Sequence, residues 1–415
     1  MDTLRVAIAG AGIGGLAAAM ALNREGVRVD VYEQASELRE VGVGLHLASN
    51  GSRILRGWGL SEPLARVAVR PAALEVRDWA GGRTLTRQDM GDAWERRFGA
   101  PFYTVHRPDL HRLLAERLPA GQLNLNRRVT GFHDLGEDGV RLTFADGGTA
   151  HADVLVAADG VHSVIRRAVA GPDAPVFSGM SAFRGLVPAG RLDGIPRDTV
   201  LIWAGPRSRL LCYPVRDGRF LTFVAVVPSA GRRPESWSST GDPDEVRAAF
   251  AGWALDVRAL LAAVDEAGCW ALYDREPLPA WGTGLVTLLG DAAHPMLPHH
   301  GQGASQAIED AVVLGHCLSR AAADAGPGGA RHLRLADALR RYEAIRRPHT
   351  ARVQAASRDG GSQRLGPAER PDSAERPGSA AATRSLVEDV SWIQSHDVRD
   401  DLDETAAEVV SHETV

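Results

Sequence analysis

Several short apolar runs in this chain end on side chains that can move protons or hold charged ligands. His46 stands in Val41-Gly-Val-Gly-Leu-His46-Leu-Ala-Ser-Asn50, Asp159-Gly160 ends the run Ala152 to Ala158, and Tyr213 closes Leu210-Leu-Cys-Tyr213. Gly290-Asp291 follows the run Gly284 to Leu289, and His294, His299 and His300 lie in the proline-rich stretch after it. Histidine titrates close to neutral pH, so His46 or His299 suits the work of a general base, with Tyr213 as a hydrogen-bonding or relaying phenol. Isolated histidines on strands are also common as satisfied core residues, and adjacent histidines in a proline-rich loop bond to backbone. Arg184 and Arg209 suit bidentate contact with a carboxylate; solvated surface arginine is the plainer reading of each.

The opening stretch sets the frame for these groups. Leu4 to Ala9 reads as a buried strand, Leu16 to Asn23 as a helix rich in Ala, Met and Leu, and Gly10-Ala-Gly12-Ile-Gly14-Gly15 lies between. Gly10, Gly12 and Gly15 form G-x-G-x-x-G in strand–turn–helix context, with Gly14 beside them. The first allows the tight turn, the second lets backbone approach a pyrophosphate, and the third lets helix pack on strand. Free N–H groups and the positive end of the helix dipole then face the phosphates. A second strand, Val27 to Tyr32, ends on Glu33, where a carboxylate takes ribose hydroxyls. Dinucleotide binding is the expectation.

Beyond this unit the pattern predicts a Gly-rich strand or loop at 41–50, a helix over 51–58, and strands within 74–86 turning at Gly81-Gly82. Tyr103 to Arg107 reads as extended, 108–118 as a helix with proline in its first turn, and 123–150 as a β-meander. The run at 152–158 has the continuous apolarity of a central parallel strand. From Phe177 to Pro228 the texture is β-rich, predicting an antiparallel sheet inserted into the first domain. Helices are expected over 244–263, 305–322 and 335–345, the last stopped by Pro348, with a strand over 284–289. Residues 358–384, rich in Gly, Pro, Ser, Arg and Glu, read as a linker, and 385–398 as a last amphipathic helix docking Val387, Trp392 and Ile393.

Composition excludes other classes. The chain has 415 residues, 44% hydrophobic and 24% charged, as an ordinary globular protein has. A formal net charge of -5 offers nothing to nucleic acid. Cys212, Cys269 and Cys317 lack C-x-x-C spacing, which argues against a disulfide framework or zinc site and for a reducing compartment. No signal peptide or long apolar span is evident, so a cytoplasmic protein without membrane contact is expected.

The G-x-G-x-x-G start, Asp159-Gly160 and Gly290-Asp291, in that order, resemble the signatures of the FAD-dependent group A aromatic hydroxylases. The resemblance runs from about Leu4 to Arg347. Within that family the chain is similar to salicylate hydroxylase and 6-hydroxynicotinate 3-monooxygenase through Gly44-Leu-His46-Leu, Val105-His-Arg107-Pro-Asp-Leu, Cys212-Tyr213-Pro214 and Pro298-His299-His300-Gly-Gln-Gly-Ala304; Ser49 departs from the proline that often precedes Asn50.

The resemblance implies an α/β fold, a Rossmann-type FAD-binding domain with an inserted antiparallel β-sheet substrate domain and C-terminal helices. It divides the chain into an FAD-binding part (1–176 and 268–357), a substrate part (177–267), a linker (358–384) and a C-terminal helix and tail (385–415). For FAD it implies Glu33 and Gln34 at the adenosine ribose, Arg107 along the pyrophosphate, Val129 at the adenine edge and Asp291 at the ribityl chain. Gly301, Gly303 and Ala304 come to the flavin N1–O2 edge; Asp159 goes to FAD or the nicotinamide. His46 and Tyr213 match proton-accepting positions of the 6-hydroxynicotinate enzyme. The implied activity is NADH- or NADPH- and O2-dependent hydroxylation of a small phenolic or hydroxypyridine carboxylate through a flavin C4a-hydroperoxide, with decarboxylation where oxygen lands on the carboxylate-bearing carbon. A larger natural-product phenol as substrate, or a flavin-binding protein without turnover, are the alternatives. A monomer or homodimer is expected.

Overall fold

The computed structural model describes residues 3–38, 42–172, 175–229, 240–323, 331–362 and 390–402. A six-stranded sheet is built on Arg5–Ala9, which pairs in parallel with Val154–Ala157 on one side and Arg28–Tyr32 on the other. Val286–Leu288 and Leu123–Asn124 extend it in parallel outward from those two neighbours, and Gly282–Thr283 closes one edge as an antiparallel hairpin. The central strands are buried on both faces because they share one core with the helices Ile13–Arg24 and Gly303–Ala323 and with Val140, Leu142 and Phe144 of the following strands, which is why their sequence is continuously apolar rather than alternating. Val129–Asp134, Val140–Phe144 and Thr149–Ala152 form the expected meander as a separate antiparallel sheet.

The second large sheet has eight strands, and it takes in more chain than the 177–267 range expected for it. Its centre is Val176–Pro188, Phe220–Pro228, Arg209–Val215 and Thr199–Ala204. Ala267–Asp274 flanks one side, and Ala73–Asp78 pairs in parallel with Thr199–Ala204 on the other, followed by Thr84–Asp89. A hairpin read locally from Gly81-Gly82 thus belongs to a distant sheet, a long-range pairing that local pattern does not encode. One face packs Phe183, Trp203, Cys212 and Phe223 under the helices Pro243–Ala249 and Leu255–Ala262. By alternation the opposite face presents Arg184, Leu211, Tyr213 and Val224.

A small sheet of Gly44–Leu47, Tyr103–His106 and Ala68–Val69 lies between the two large ones. It is fastened to the eight-stranded sheet where Thr222 Oγ1 accepts from the Gly44 N–H at 3.1 Å and Thr104 Oγ1 donates to the Pro214 carbonyl at 2.6 Å.

The helix expected to stop before Pro348 instead runs through it, as Arg331–Ser362. Proline removes one N–H and costs about 3 kcal/mol inside a helix. Tyr342, Arg346, Thr350, Val353, Gln354 and Ser357 are all buried, and their 3–4 spacing continues across the proline, which lies off that stripe. Tertiary packing therefore overrides the local stop signal. The linker expected from 358 consequently begins no earlier than 363, and 363–389, with Val387, lies outside the described residues. Helix reappears as Ser391–Ser395, with Ile393 fully buried, and again at 398–402.

Candidate active site

The glycine-rich turn has the shape the spacing predicts. Gly10 adopts φ +100°, and a Cβ there would press into the Ala158 carbonyl oxygen, so strand-end and turn touch at bare backbone. An ideal Cβ on Gly12 meets nothing within 4 Å, which leaves open space above the N-terminus of Ile13–Arg24. Gly14 faces Leu289 and Ala307, at 3.0 and 3.2 Å from its ideal Cβ, so it serves close packing of the helix Gly303–Ala323. Glu33 fixes the turn: its carboxylate accepts from the Ala11 N–H at 2.8 Å and the Ala35 N–H at 2.9 Å. The Glu33 carbonyl accepts from the Arg127 N–H at 2.8 Å, which brings the start of the Val129 strand beside it. Gln34 is exposed, whereas Val129 is buried. Arg107, half-buried, begins the helix Arg107–Ala115, and its N–H donates to the Val43 carbonyl at 2.9 Å.

Asp159 lies across the turn from Gly10. Its Oδ2 accepts from the Val164 N–H at 2.9 Å, capping the next helix, while Oδ1 is buried with no hydrogen-bond partner among the described residues. Burial raises the pKa of this carboxyl despite the hydrogen bonds from Ser163 and backbone. Asp291 is exposed in a short helical turn, close to Gly303, and Arg166 Nη1 donates to its carbonyl at 3.3 Å. Gly301, at φ +63°, turns the chain into the 21-residue helix Gly303–Ala323, whose first N–H groups are unused by the helix itself. Open space over Gly12 and two helix N-termini suit a pyrophosphate and an anionic ring edge, and the buried orphan oxygen of Asp159 suits a hydroxyl or N–H donor of the same ligand. The residues present fit a flavin dinucleotide.

His46 stands where the small sheet, the eight-stranded sheet and the Gly301 turn meet. Its ring centroid is 4.5 Å from that of Tyr213 and 5.2 Å, edge-on, from Phe102. An ideal Cβ on Gly301 would lie 3.1 Å from His46 Nδ1, so the flexible residue permits the turn to abut the ring. His46 Nε2 is buried without a hydrogen-bond partner among the described residues. Burial lowers the imidazole pKa to about 4, which keeps it neutral at pH 7. Burial likewise pushes the Tyr213 phenol well up, with Arg184 pulling weakly the other way. The pair can pass a proton but neither ionises alone.

Among the strands 176–188, 209–215 and 220–228, Arg184 and Arg209 are the charged side chains on the Tyr213 face. Arg184 stacks over Trp270 with its guanidinium carbon 4.5 Å from the ring centroid, and Arg209 meets His299. The remaining histidines separate by structure: His294 Nε2 is 2.6 Å from Asp310 in the core, and His300 Nε2 is 2.8 Å from the Ala356 carbonyl. Both hold the fold. His46, Tyr213, Arg209, His299 and Gly301 come together, as do Gly10, Glu33 and Asp159; Gln34 has no place in either group that the structure specifies.

Sequence reasoning missed Phe102, which walls His46, and Asn50, which donates to Gln302 at 3.2 Å and to Glu309 at 2.7 Å. An isolated Phe gives no local signal. Asn50 and Gln302 lie inside strings already singled out, but their meeting over 252 residues is a tertiary fact.

Comparison with known proteins follows the same lines. The family described as FAD binding domain matches residues 3–357. The 3-amino-4-hydroxybenzoate 2-monooxygenase of Streptomyces platensis is 44% identical over 341 residues, 81% of this chain and 83% of that protein. The 6-hydroxynicotinate 3-monooxygenase of Bordetella bronchiseptica is 40% identical over 313 residues, 75% of this chain and 81% of its own. A salicylate hydroxylase solved with substrate shares the fold at a TM-score of 0.78 and 29% identity, covering 96% of this chain and 97% of that one.

Proposed function

The chain belongs to the FAD-dependent aromatic hydroxylases and is a flavoprotein monooxygenase, and from that membership we propose that it hydroxylates a small aromatic carboxylate bearing a ring hydroxyl. FAD, when bound and reduced by NADH or NADPH, would supply one oxygen atom of O2 to the ring, the other leaving as water. The observation that carries the substrate class is the pairing on one sheet face: a neutral, orphaned His46 beside Tyr213 at 4.5 Å, with Arg209 next to His299 on the same strand as Tyr213. The relatives' substrates named above are aminohydroxybenzoate and hydroxynicotinate, both ring-hydroxylated acids.

In this reading the Arg209 guanidinium takes the carboxylate, and its fork geometry fixes the ring in plane. Leu211 and Val224, half-buried on the same face, cover the ring and exclude water. The ring hydroxyl points to His46 and Tyr213. His46 Nε2 accepts the phenolic proton; the imidazolium so formed lies beside the new phenolate, and that attraction offsets the burial that otherwise disfavours it. Electron density released into the ring raises its nucleophilicity toward the oxygen atom. Glu33, Arg107, Val129, Asp159 and Asp291, with the turn at Gly10 and Gly12, would hold the dinucleotide, and the N–H groups of Gly301 to Ala304 would meet the flavin's anionic edge.

The test is NADH and NADPH oxidation by the yellow protein with 3-amino-4-hydroxybenzoate, 4-hydroxybenzoate, salicylate and 6-hydroxynicotinate, with CO2 and peroxide followed in parallel. Arg209→Gln should lower kcat/KM for the preferred acid by about 10- to 150-fold, the worth of roughly 1.5–3 kcal/mol for a hydrogen bond to a charged group. The same variant should leave the ring lacking the carboxylate unaffected. An equal loss on both rings removes Arg209 from carboxylate binding. No stimulation by any small acid would turn the reading to a larger phenol, and peroxide without ring product to a flavin-binding protein lacking hydroxylation.

A further inference from the structure

A second cluster of chemistry-bearing side chains lies behind Asn50, where the segment 390–402 meets the two long helices. Glu309 comes from Gly303–Ala323, His349 from Arg331–Ser362 and His396 from the turn after Ser391–Ser395. His396 Nδ1 is 3.3 Å and His349 Nε2 3.9 Å from Glu309 Oε2, and the three atoms lie within 4.8 Å of one another. All three atoms are buried, Glu309 fully so, and His349 Nε2 has no hydrogen-bond partner among the described residues. The two imidazoles stack with centroids 3.8 Å apart, so they enter from one side.

Surrounding groups orient these atoms. His396 lies between two carboxylates, with Nε2 3.1 Å from Asp401 and Nδ1 3.3 Å from Glu309 Oε2, so each ring nitrogen faces an acceptor and the ring is fixed in place. Glu309 Oε1 is held by the Asn50 side-chain amide at 2.7 Å, which leaves Oε2 to face the histidines. Arg346 reaches both Glu309 and Asp310 at 2.8 Å. One guanidinium therefore answers two carboxylates, with His294 on the Asp310 side and His396 on the Glu309 side.

We propose that Glu309, His349 and His396 bind a divalent cation of the zinc class. Two imidazoles and a carboxylate are the donor set of a three-ligand zinc centre, with solvent as the fourth ligand. Ligands about 2.0–2.1 Å from one tetrahedral metal lie roughly 3.3–3.4 Å apart, close to the separations from Glu309 Oε2, so small side-chain shifts complete the site. Imidazole nitrogens select against magnesium and calcium. Binding displaces a proton from between His396 Nδ1 and Glu309 Oε2. Arg346, 2.8 Å from the same oxygen, repels the ion and weakens its binding. The ion does no chemistry on substrate. It staples 390–402 to the helix that starts at the flavin loop, in a segment that also receives the Ser49 N–H on Gln394 at 2.9 Å and the Arg53 guanidinium on the His396 carbonyl.

Tag-free holoenzyme, stripped with a chelator and re-equilibrated with Zn2+, should retain one equivalent of zinc through gel filtration and gain about 2 °C or more in Tm at saturating metal. Cobalt(II) should give the absorption of a tetrahedral N/O site to the red of the flavin bands. His349→Ala and His396→Ala, checked for folding by their flavin content, should each lose the metal. If either variant loses its flavin, the cobalt spectrum and Tm shift of the unaltered protein decide. No retained zinc with no cobalt band overturns the proposal, as does unchanged retention in the folded double variant, which would mark an adventitious ion elsewhere on the surface.

Discussion

At pH 5.5 the His46 ring makes opposite predictions according to whether burial or ordinary solvation governs it. Burial lowers its pKa from 6.5 to about 4, so about 97% of the enzyme would still carry the neutral base at pH 5.5, against about 9% for an unperturbed imidazole. The measurement is kcat/KM for the preferred aromatic acid from pH 5 to 8, at saturating nicotinamide, scored as hydroxylated product. The profile should stay flat to pH 5.5 on the acid side. His46→Gln should reduce the plateau by about 10²- to 10⁴-fold, the usual worth of a positioned base, while flavin content stays unchanged. An acid limb near pH 6.5 that disappears in His46→Gln would refute the argument from burial, and a plateau loss under threefold would remove His46 as the base. The same depression has a stability consequence. The folded pKa lies below the unfolded one, so this contribution is whole above pH 6.5 and is lost as pH falls from 6.5 toward 4, amounting to roughly 3 kcal/mol. Urea unfolding of wild type and His46→Gln at pH 7 and 5.5 should show the slope shrinking in the variant.

Gly10→Ala places a methyl against the Ala158 carbonyl at a positive φ, so the purified variant should be colourless or lose FAD on gel filtration, as absorbance at the flavin bands will report. Arg346→Met strips the shared cation from Glu309 and Asp310, and thermal or urea unfolding should show a loss of about 3–5 kcal/mol. Gly44→Ala puts a Cβ 2.5 Å from the Tyr213 ring and 2.6 Å from Thr222. It should cost about 1–3 kcal/mol of stability by overpacking and raise peroxide release relative to product as the His46–Tyr213 pair is forced apart.

How much of this was legible depended on whether the signal was local. The opening strand ends at Ala9 as expected and the helix begins at Ile13, three residues before the expected Leu16, because glycine spacing, apolar run and helix formers agree there and the helix starts inside the glycine-rich turn. The meander at 129–152 was readable from its turns for the same reason. Sheet membership was not. Ala73–Asp78 looks like half of a free hairpin, and only its parallel pairing with Thr199–Ala204 assigns it to the substrate face. Pro348 misled because a stop signal was weighed without the buried stripe from Tyr342 to Ser357 that carries the helix past it. In the site, His46 and Tyr213 were found through motif position, yet the contact that makes them a pair, and Phe102 beside them, arise from three strands meeting. Asn50 and Gln302 lie in strings the sequence marks, but their meeting with each other and with Glu309 joins segments more than 250 residues apart.

The family match stops at residue 357, but the folded unit does not. Ile393 is completely covered, Gln394 takes a backbone N–H at the start of the Asn50 helix, and His396 faces the carboxylate to which Asn50 donates. A fragment trimmed to the matched residues would bare that apolar patch and leave Glu309 facing water a short step from the flavin loop. Expression boundaries and fusion junctions for this protein therefore belong after residue 402, and a chain cut at 358 would lose the segment that covers Glu309 and the start of the Asn50 helix.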